Sequence, residues 1–463
     1  MDKPDAFSAP VLIQDMSADL WNSATVVLET NWAHDHMVPS RRLYPHQWSW
    51  DAAFTAIGLA YVNPTRAWRD LRSLFEAQWP DGRVPHIVFD PRTAEGDYFP
   101  GPAFWDVPAY GRRAARGSTG LVQPPLHAVA VWEVYRRASA HGADCAHEAG
   151  EQLKWLYPRL VAQQDYLSLH RDAAGTGLAS IVHPWESGLD NSPSWDSAMA
   201  GVPADMNLLV RFQRRDLEVA DAAHRPLDID YARYLGLVLT YRDRGYSDTD
   251  LAERHGFVVE CPAFNAILAA AELTLAHIAA VVGADPRRHV ERARCITTAI
   301  SQRLWDAESR TFRSRDLRTG QLSPARAING MVPLILPGLP EDQAAAIMAE
   351  AASPRFGLPE TTGLPVPSFD RTSPDFDTLR YWRGPIWINV NWLLRRGMLV
   401  HGYRVEAEDL RTAMIRLIEE SGHYEYFHPK SGEGIGAPTF SWTAALSLDL
   451  LADQAVPASA RAT

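Results

Sequence analysis

The stretch VHPWESGLDNSPSW, residues 182–195, sets two carboxylates, Glu186 and Asp190, among tryptophans, prolines and a glycine. Burying an ionised carboxylate without a partner is costly, and the usual response is a raised pKa. Asp190 therefore suits a general acid, because its aromatic neighbours are expected to raise its pKa and keep the carboxyl protonated near neutrality. The structural alternative is that Asp190 or Ser192 caps a helix beginning near Pro193.

Tryptophans in the loops indicate what such an acid would act on. The chain has 16 Trp. An indole face suits the C–H face of a pyranose, while neighbouring carboxylates and guanidinium groups bind the hydroxyls. The tryptophans that stand in loops beside charged residues are Trp48, Trp50, Trp105, Trp185, Trp195, Trp382 and Trp387. Trp21, Trp132 and Trp305 lie in periodic stretches and are expected in the core. The pattern favours a sugar site, and glycoside hydrolysis requires a second carboxyl group beside the acid.

The segments that must hold these loops have helical periodicity, with apolar residues recurring at intervals of three and four. Period-two segments are few and short, as in GRVPHIVFD and RTFRSRD. The predicted helices are 19–34, 49–62, 64–79, 125–142, 151–170, 262–283, 286–305, 384–402, 406–420 and 440–452. With no short repeat and no compositional boundary, the sequence predicts one all-α domain over residues 1–463, an α/α toroid whose loops form the funnel.

Composition excludes several classes of protein. The net charge of -11 argues against nucleic acid or an anionic membrane as partner. The window from Ala263 is the most apolar, but Asn265, Glu272 and His277 interrupt it, so a buried helix is expected rather than a membrane span.

The setting of the protein is predicted from its termini and cysteines. The N-terminus lacks the basic and apolar segments of a signal peptide. Three widely spaced cysteines, Cys145, Cys261 and Cys295, favour a reduced, cytoplasmic setting. The histidines are scattered without an HExxH or paired CxxC motif, so no metal is expected. Whether the chain forms a homo-oligomer is left open.

Four stretches in order resemble the motifs of glycoside hydrolase family 63, which is distantly similar to the trehalases. They are QWSWDAAF (47–54), ESGLDNSP (186–193), YWRGPIW (381–387) and HYEYF followed by GEGIGAPTFSWTAAL (423–446). The resemblance implies an (α/α)6 barrel and inverting hydrolysis of α-glycosides without metal or organic cofactor. The short bacterial members of that family include hydrolases of glucosylglycerate and mannosylglycerate, so a small glycoside is the expected substrate.

The resemblance also implies roles for individual residues. Asp190 matches the general acid and Glu425, in EYF, the general base that activates water. Glu433 is an alternative base, because its glycine neighbours would let the loop approach the sugar closely. The residues that the resemblance and the motifs assign to sugar binding are Tyr44, Trp48, Trp50, Asp51, Gln123, Trp185, Tyr381, Trp382, Arg383 and Trp387. Glu186 is expected to pair with an arginine such as Arg383.

The segment 222–246 is rich in Arg and Tyr and is the candidate aglycone-binding insert and lid. The glycerate-specific family members hold the aglycone carboxylate with an Arg and a Tyr from a similar insert, and Arg225 and Tyr231 stand at the matching places. A charged hydrogen bond of this kind selects glycerate over glycerol by about 1.5–3 kcal/mol.

Other functions stay open at this point. Within hydrolases, the substrate could instead be glucosylglycerol or an α-linked disaccharide. A non-catalytic sugar-binding protein is the alternative from a different class, although binding alone gives no reason for two such carboxylates. A sugar epimerase would use His183 and His423 as acid and base.

Overall fold

The computed structural model describes residues 9–94, 96–107, 117–140, 142–212, 214–219 and 221–453. Within these ranges the chain is predominantly helical, and twelve helices have twelve or more residues. In chain order the helices are α1 Ala9–Asn31, α2 Ser49–Val62, α3 Pro64–Glu76, α4 Pro102–Trp105, α5 His127–Ser139, α6 Ala143–His170, α7 Asp196–Ala200, α8 Asn207–Arg211, α9 Asp216–Val219, α10 Asp228–Asp243, α11 Leu251–Arg254, α12 Pro262–Val282, α13 Arg287–Arg303, α14 Glu341–Ala352, α15 Pro359–Thr362, α16 Ile388–Val400, α17 Arg404–Ser421 and α18 Ser441–Ala452. The predicted all-helical class is confirmed at this level.

Local sequence signals set several helix ends. Asn63 separates α2 from α3, and its side chain accepts a hydrogen bond from the Arg66 N–H, while Pro64 occupies the first turn where no donor is needed. Pro262 begins α12 in the same way. Gly283 ends α12 with φ +77, a left-handed conformation that glycine adopts without steric cost.

Two kinds of helix differ in how they are buried. Residues 49–60 of α2 and 441–451 of α18 are buried on every face, which is typical of helices enclosed by other helices. By contrast α3, α13 and α17 bury one face each. The first kind therefore lies inside the second.

The packing contacts connect the inner helices in sequence. Helix α18 packs against α2, α2 against α5, and α5 against α12. The 3₁₀ turn Val332–Ile335 contacts both α12 and α16, and α16 contacts α18. The outer partners follow the chain, with α1 on α18, α3 on α2, α6 on α5, α13 on α12 and α17 on α16.

The strands are all two residues long, and they connect loops to one another and do not form a core sheet. They are β1 Trp32–Ala33, β2 His36–Met37, β3 Gln47–Trp48, β4 Ile87–Val88, β5 Ser180–Ile181, β6 Val259–Glu260, β7 Trp305–Asp306, β8 Thr311–Phe312, β9 Arg315–Asp316, β10 Tyr426–Phe427 and β11 Gly434–Ile435. All pairs are antiparallel: β1 with β2, β3 with β4, β7 with β8, β10 with β11, and β6 between β5 and β9. The pairing of Tyr426 with Ile435 closes a hairpin that begins next to Glu425, the predicted base.

The structure adds helices that periodicity does not predict. Residues 222–246 contain a 3₁₀ turn, Ala222–His224, and the helix α10, and α14 forms where the sequence predicts no helix. Segment 222–246 is mixed in polarity, so packing against the rest of the protein contributes to its conformation. Helix α14, EDQAAAIMAEAA, is rich in strong helix formers and has two acidic residues in its first turn, so its local propensity favours a helix. Helix α12 is, within the described ranges, the one helix long and apolar enough to cross a membrane, with a mean hydropathy of 1.7 over its window. More than half of that window is buried, and α12 packs against α5, α6 and α13, as a core helix does.

Candidate active site

One pocket collects most of the predicted site residues at the loops beside the inner helices. Its wall holds both candidate catalytic carboxylates, together with aromatic side chains and one buried guanidinium. The predicted residues that line it are Tyr44, Trp48, Trp50, Asp51, Gln123, Trp185, Asp190, Arg225, Tyr231, Tyr381, Trp382 and Glu425. Residues far apart in the sequence thus meet in one cavity of the type that binds small ligands.

The loop that carries Asp190 is held in place by the buried side chain of Glu186. The Glu186 carboxylate is fully buried and accepts hydrogen bonds from Arg171 Nη1 and Nη2 at 2.8 and 2.7 Å. It also accepts from the backbone N–H groups of Val122 and Val182, at 3.1 and 2.7 Å. Because every oxygen of Glu186 is engaged with structural partners, this carboxylate holds the loop and does not face the pocket.

The turn between Glu186 and Asp190 fits closely against the aromatic wall. Gly188 has φ +71, and a Cβ atom there would lie 2.4 Å from the Trp50 ring. The cap that the sequence left open is made by Ser192, whose hydroxyl accepts from the Ser194 N–H at 3.3 Å at the start of the 3₁₀ turn Pro193–Trp195. Asp190 is therefore not needed as the cap, and it lines the pocket.

Burial raises the pKa of the Asp190 carboxyl to about 7, against a smaller opposing effect of the Arg225 guanidinium. The negative charge of Glu425 acts in the same direction as burial. A carboxyl with such a pKa is partly protonated at neutral pH, as proton donation to a leaving oxygen requires.

Glu425 precedes β10, and its carboxylate is held by three donors. Oε1 accepts from the hydroxyl of Tyr44 at 2.8 Å and from that of Tyr381 at 3.2 Å. Oε2 accepts from the Ala437 N–H at 3.1 Å, across the turn closed by β10 and β11. Burial raises the pKa of Glu425, while Arg225 and these hydrogen bonds oppose the rise.

Gly436 makes room for that carboxylate. It has φ +77, and a Cβ atom at this position would lie 2.6 Å from Glu425 Oε2. The glycine is therefore required both by the backbone conformation and by the close approach of the base.

Arg225 reaches the pocket from the segment 222–246 and is buried. Its Nε donates to Asp216 Oδ2 at 3.2 Å and its Nη1 to the Tyr44 hydroxyl at 3.0 Å. The guanidinium carbon lies 4.6 Å from the centroid of the Tyr381 ring, a cation–π contact. A fixed, desolvated guanidinium in a pocket wall is a site for a carboxylate or for hydroxyl groups.

The remaining wall suits a sugar ring. Asp51 is buried on α2, and burial raises its pKa, with the charges of Glu425 and Asp190 adding to the effect. The Gln123 side-chain carbonyl accepts from the Trp50 N–H at 3.1 Å, which fixes the amide group at the pocket. The ring of Trp185 packs edge-on against Tyr231, 6.2 Å between centroids.

Two predicted sugar-binding residues lie outside the pocket wall. Arg383 points away from it and pairs with Asp196, at 2.9 and 2.7 Å, on the flank of α7. The arginine that pairs with Glu186 is Arg171, so the expected pairing with Arg383 is wrong. Trp387 lies behind the wall, stacked on Trp382 at 3.8 Å with an angle of 5° between the rings. It supports the pocket from a buried position.

Three further candidates lie away from the pocket wall. Glu433 is exposed at the turn between β10 and β11, while the Glu425 carboxylate faces the cavity. His183 is buried against the Tyr234 carbonyl, 3.1 Å away, and His423 contacts the Ser23 hydroxyl at 3.1 Å. Neither histidine reaches the cavity, so the pair expected of an epimerase is not assembled there.

The structure also brings in residues that the sequence did not single out. Asp216 lines the pocket and joins Arg225 to Arg214, whose Nη2 donates to it at 2.7 Å. Tyr98 and Trp442 also line the wall, and Trp442 Nε1 has no hydrogen-bond partner in the described ranges. Both aromatic residues stand in stretches rich in such side chains, YFPGPAFWD and FSWTAAL, but Trp442 lies within a periodic helix, a position typical of the core.

Comparison with known proteins places this site in a family. The family described as "Mannosylglycerate hydrolase MGH1-like glycoside hydrolase domain" matches residues 44–443. A mannosylglycerate hydrolase of Rubrobacter radiotolerans is 40% identical over 440 residues, which are 94% of this chain and 97% of that protein. A glucosylglycerate hydrolase of Mycolicibacterium hassiacum is 35% identical over 425 residues, 88% of this chain and 92% of that protein.

A solved structure agrees over almost the whole chain. The GH63 mannosylglycerate hydrolase from Thermus thermophilus, in complex with Tris and D-glycerate, superposes with a TM-score of 0.84 at 38% identity, covering 93% of this chain and 99% of that one. The resemblance of the four motifs is thereby confirmed. The chain belongs to glycoside hydrolase family 63, among the MGH1-like glycoside hydrolases.

Proposed function

We propose that this glycoside hydrolase cleaves a 2-O-α-linked glycosylglycerate, glucosylglycerate or mannosylglycerate, with inversion at the anomeric carbon. The observation that carries the proposal is the buried Arg225 guanidinium in the same pocket wall as Asp190 and Glu425. Asp216 pairs with the Nε of this guanidinium, which also lines the cavity, where an aglycone carboxylate would make a charge-assisted hydrogen bond that a neutral aglycone cannot make. The names of the relatives support the same substrate class.

Each residue then has one role. Glu425 takes a proton from water, the water oxygen bonds to the anomeric carbon, and the bond from that carbon to the glycerate oxygen breaks. Asp190 gives its proton to the departing oxygen, so one water is consumed and the sugar and glycerate are released. The raised pKa of Asp190, about 7, supports the acid role. Burial raises the pKa of Glu425, but the three donors around it favour its ionised form, which a base requires.

Sugar recognition is assigned to other residues of the same pocket wall. Asp51 and Gln123 would bind hydroxyl groups, and Trp48, Trp50 and Trp185 would contact the apolar faces of the ring. Tyr231 would join Arg225 at the aglycone, because both come from the segment 222–246 and both line the pocket. We assign that segment as the aglycone-binding element, and its closing over substrate as a lid is part of the proposal.

We further infer a closed (α/α)6 barrel formed by a single domain. The support is the order of contacts among the inner elements, which runs α2, α5, α12, the turn Val332–Ile335, α16, α18 and back to α2. Each of the five inner helices also packs against an outer helix that is its neighbour along the chain or, for α18, against α1.

The proposal is tested by a proton NMR time course of the purified protein with glucosylglycerate and with mannosylglycerate in parallel. The expected result is release of glycerate with the β-anomer of the sugar appearing before mutarotation. Glucosylglycerol and α-linked disaccharides are the comparison substrates, and faster cleavage of either would replace glycerate as the aglycone. Binding of all these glycosides without release of sugar would instead support the sugar-binding alternative.

A further inference from the structure

The hydroxyl of Tyr44 lies between Glu425, the proposed base, and Arg225, the residue proposed to bind the aglycone carboxylate and called the clamp below. It lies 2.8 Å from Glu425 Oε1 and 3.0 Å from Arg225 Nη1. A guanidinium can only donate, so the hydroxyl oxygen accepts from Arg225 and its single hydrogen goes to Glu425. The three groups form a directed chain from the clamp to the base.

Tyr381 offers an internal comparison. Its hydroxyl donates to the same oxygen, Glu425 Oε1, at 3.2 Å, and its ring lies under the Arg225 guanidinium. The guanidinium contacts the face of this ring, whereas it donates a hydrogen bond to the hydroxyl of Tyr44. Two phenols therefore serve the base, and Tyr44 is the one whose hydroxyl is bonded to the clamp.

The charges around Arg225 allow the aglycone to change the strength of the hydrogen bonds from Arg225 to Tyr44 and from Tyr44 to Glu425. Asp216 accepts from Nε at 3.2 Å, and the carboxyl groups of Glu425 and Asp190 face the same pocket. In a water-poor site, hydrogen bonds in series polarise one another, so a cationic donor to Tyr44 strengthens the bond from Tyr44 to Glu425. A further negative charge that pairs with Arg225 weakens the strengthening of the Tyr44–Glu425 hydrogen bond.

We propose that the aglycone carboxylate acts on Glu425 through Arg225 and Tyr44, so that the charge of the aglycone sets the rate of bond cleavage and not affinity alone. The inference rests on the proposed function. When the carboxylate pairs with Arg225, the pull of the guanidinium on the Tyr44 hydroxyl decreases, and Glu425 accepts a proton from water more readily. A neutral aglycone leaves that pull in place, and Tyr44 is thus a positioning residue for the base.

The experiment compares single-turnover rates at saturating enzyme for the glycerate glycoside and the matching glycerol glycoside. Hydrogen bonds to charged groups imply that the glycerate glycoside is cleaved about tenfold faster in the unaltered protein. In Tyr44→Phe this ratio is expected to fall to within about twofold of one, since the link is removed. Tyr381→Phe is the matched control. It removes a donor to the same oxygen and a 3.3 Å contact with the Tyr44 hydroxyl, but it keeps the ring under Arg225 and the hydrogen bonds from Arg225 to Tyr44 and from Tyr44 to Glu425. Circular dichroism and thermal unfolding verify that both variants are folded.

The outcomes separate this inference from the proposed function. No cleavage of either glycosylglycerate by the unaltered protein would remove the proposed function itself. Cleavage with equal saturating rates for the two glycosides, differing only in the concentration required, would overturn the inference and leave the proposed function in place. An unchanged rate ratio in Tyr44→Phe, or an equal loss of the ratio in Tyr381→Phe, would overturn it as well.

Discussion

The guanidinium of Arg171 and the carboxylate of Glu186 form a two-pronged ion pair, with N···O distances of 2.8 and 2.7 Å and both side chains fully buried. The pair lies at the base of the loop that carries Asp190, and Glu186 also binds the Val122 N–H next to Gln123. One buried ion pair therefore fixes two parts of the pocket wall.

Replacing Glu186 by alanine is expected to destabilise the protein strongly. It leaves the Arg171 charge buried without this carboxylate and removes the acceptor of two backbone N–H groups, a change that costs about 3–5 kcal/mol in the free energy of unfolding. Urea unfolding followed by circular dichroism measures the change. Glu291→Ala is the matched control, because it breaks the exposed pair with Arg294 and should leave stability almost unchanged. A similar small effect of both substitutions would contradict the structural role of Glu186.

Asp190→Asn is expected to lower kcat by about 10²–10⁴-fold, because it removes the proposed proton donor. For the unaltered protein, kcat/KM should fall as the pH rises through about 7, the pKa of Asp190 in the folded state. The acid is active when protonated, so the loss falls on the alkaline side. A kcat/KM that stays constant up to about pH 9, well above this pKa, would argue against Asp190 as the acid.

The same carboxyl gives a stability prediction of defined sign. Its pKa is raised from the ordinary value of about 3.9, so its contribution to stability is present below that pH and is lost as the pH rises through about 7. Asp190→Asn avoids that loss and should be more stable than the unaltered protein at about pH 8, with a smaller difference at about pH 4. Thermal unfolding at the two pH values measures this, and it also shows that the inactive variant is folded.

The assignment of the base is tested by two conservative substitutions in one hairpin. Glu425→Gln should lower kcat by about 10²–10⁴-fold, because the amide cannot take a proton from water. Glu433→Gln should retain nearly full activity, because this side chain is exposed at the turn. Loss of activity in Glu433→Gln with activity retained in Glu425→Gln would reverse the assignment.

Two arginines predicted for the same site should behave differently. Arg225→Gln is expected to lower kcat/KM for the glycosylglycerate by about 10–100-fold, the effect of losing a charged hydrogen bond. Arg383→Gln breaks a partly exposed pair with Asp196 and one long hydrogen bond, at 3.3 Å, to the Asn191 carbonyl, and should change kcat/KM by less than about threefold. Steady-state kinetics on both variants distinguishes a clamp from a surface ion pair, and equal effects would remove Arg225 from that role.

Much of the fold can be predicted because it depends on local patterns. Periodicity predicts helix α2 within its observed bounds, and α12, α16 and α18 to within a few residues, since their apolar residues are continuous and Pro or Gly marks their ends. It does not predict α10, where charged residues interrupt the first half and the second half is almost continuously apolar, so the buried face formed by Tyr231, Leu235, Val238 and Tyr241 becomes clear only in the structure. There the contacts with the rest of the protein decide the conformation.

In the site, too, some features follow from the sequence and others from the tertiary structure. The sequence by itself determined the helical class, the family and the two carboxylates proposed for catalysis, because side-chain chemistry and ordered motifs can be read along the chain. Only the tertiary structure decided the partners: Arg171 for Glu186, Asp196 for Arg383, and Asp216 and Tyr44 for Arg225. The reason is physical. Arginine side chains reach partners from any element that packs nearby, so their pairing depends on which loops meet, and the sequence does not specify that without the fold.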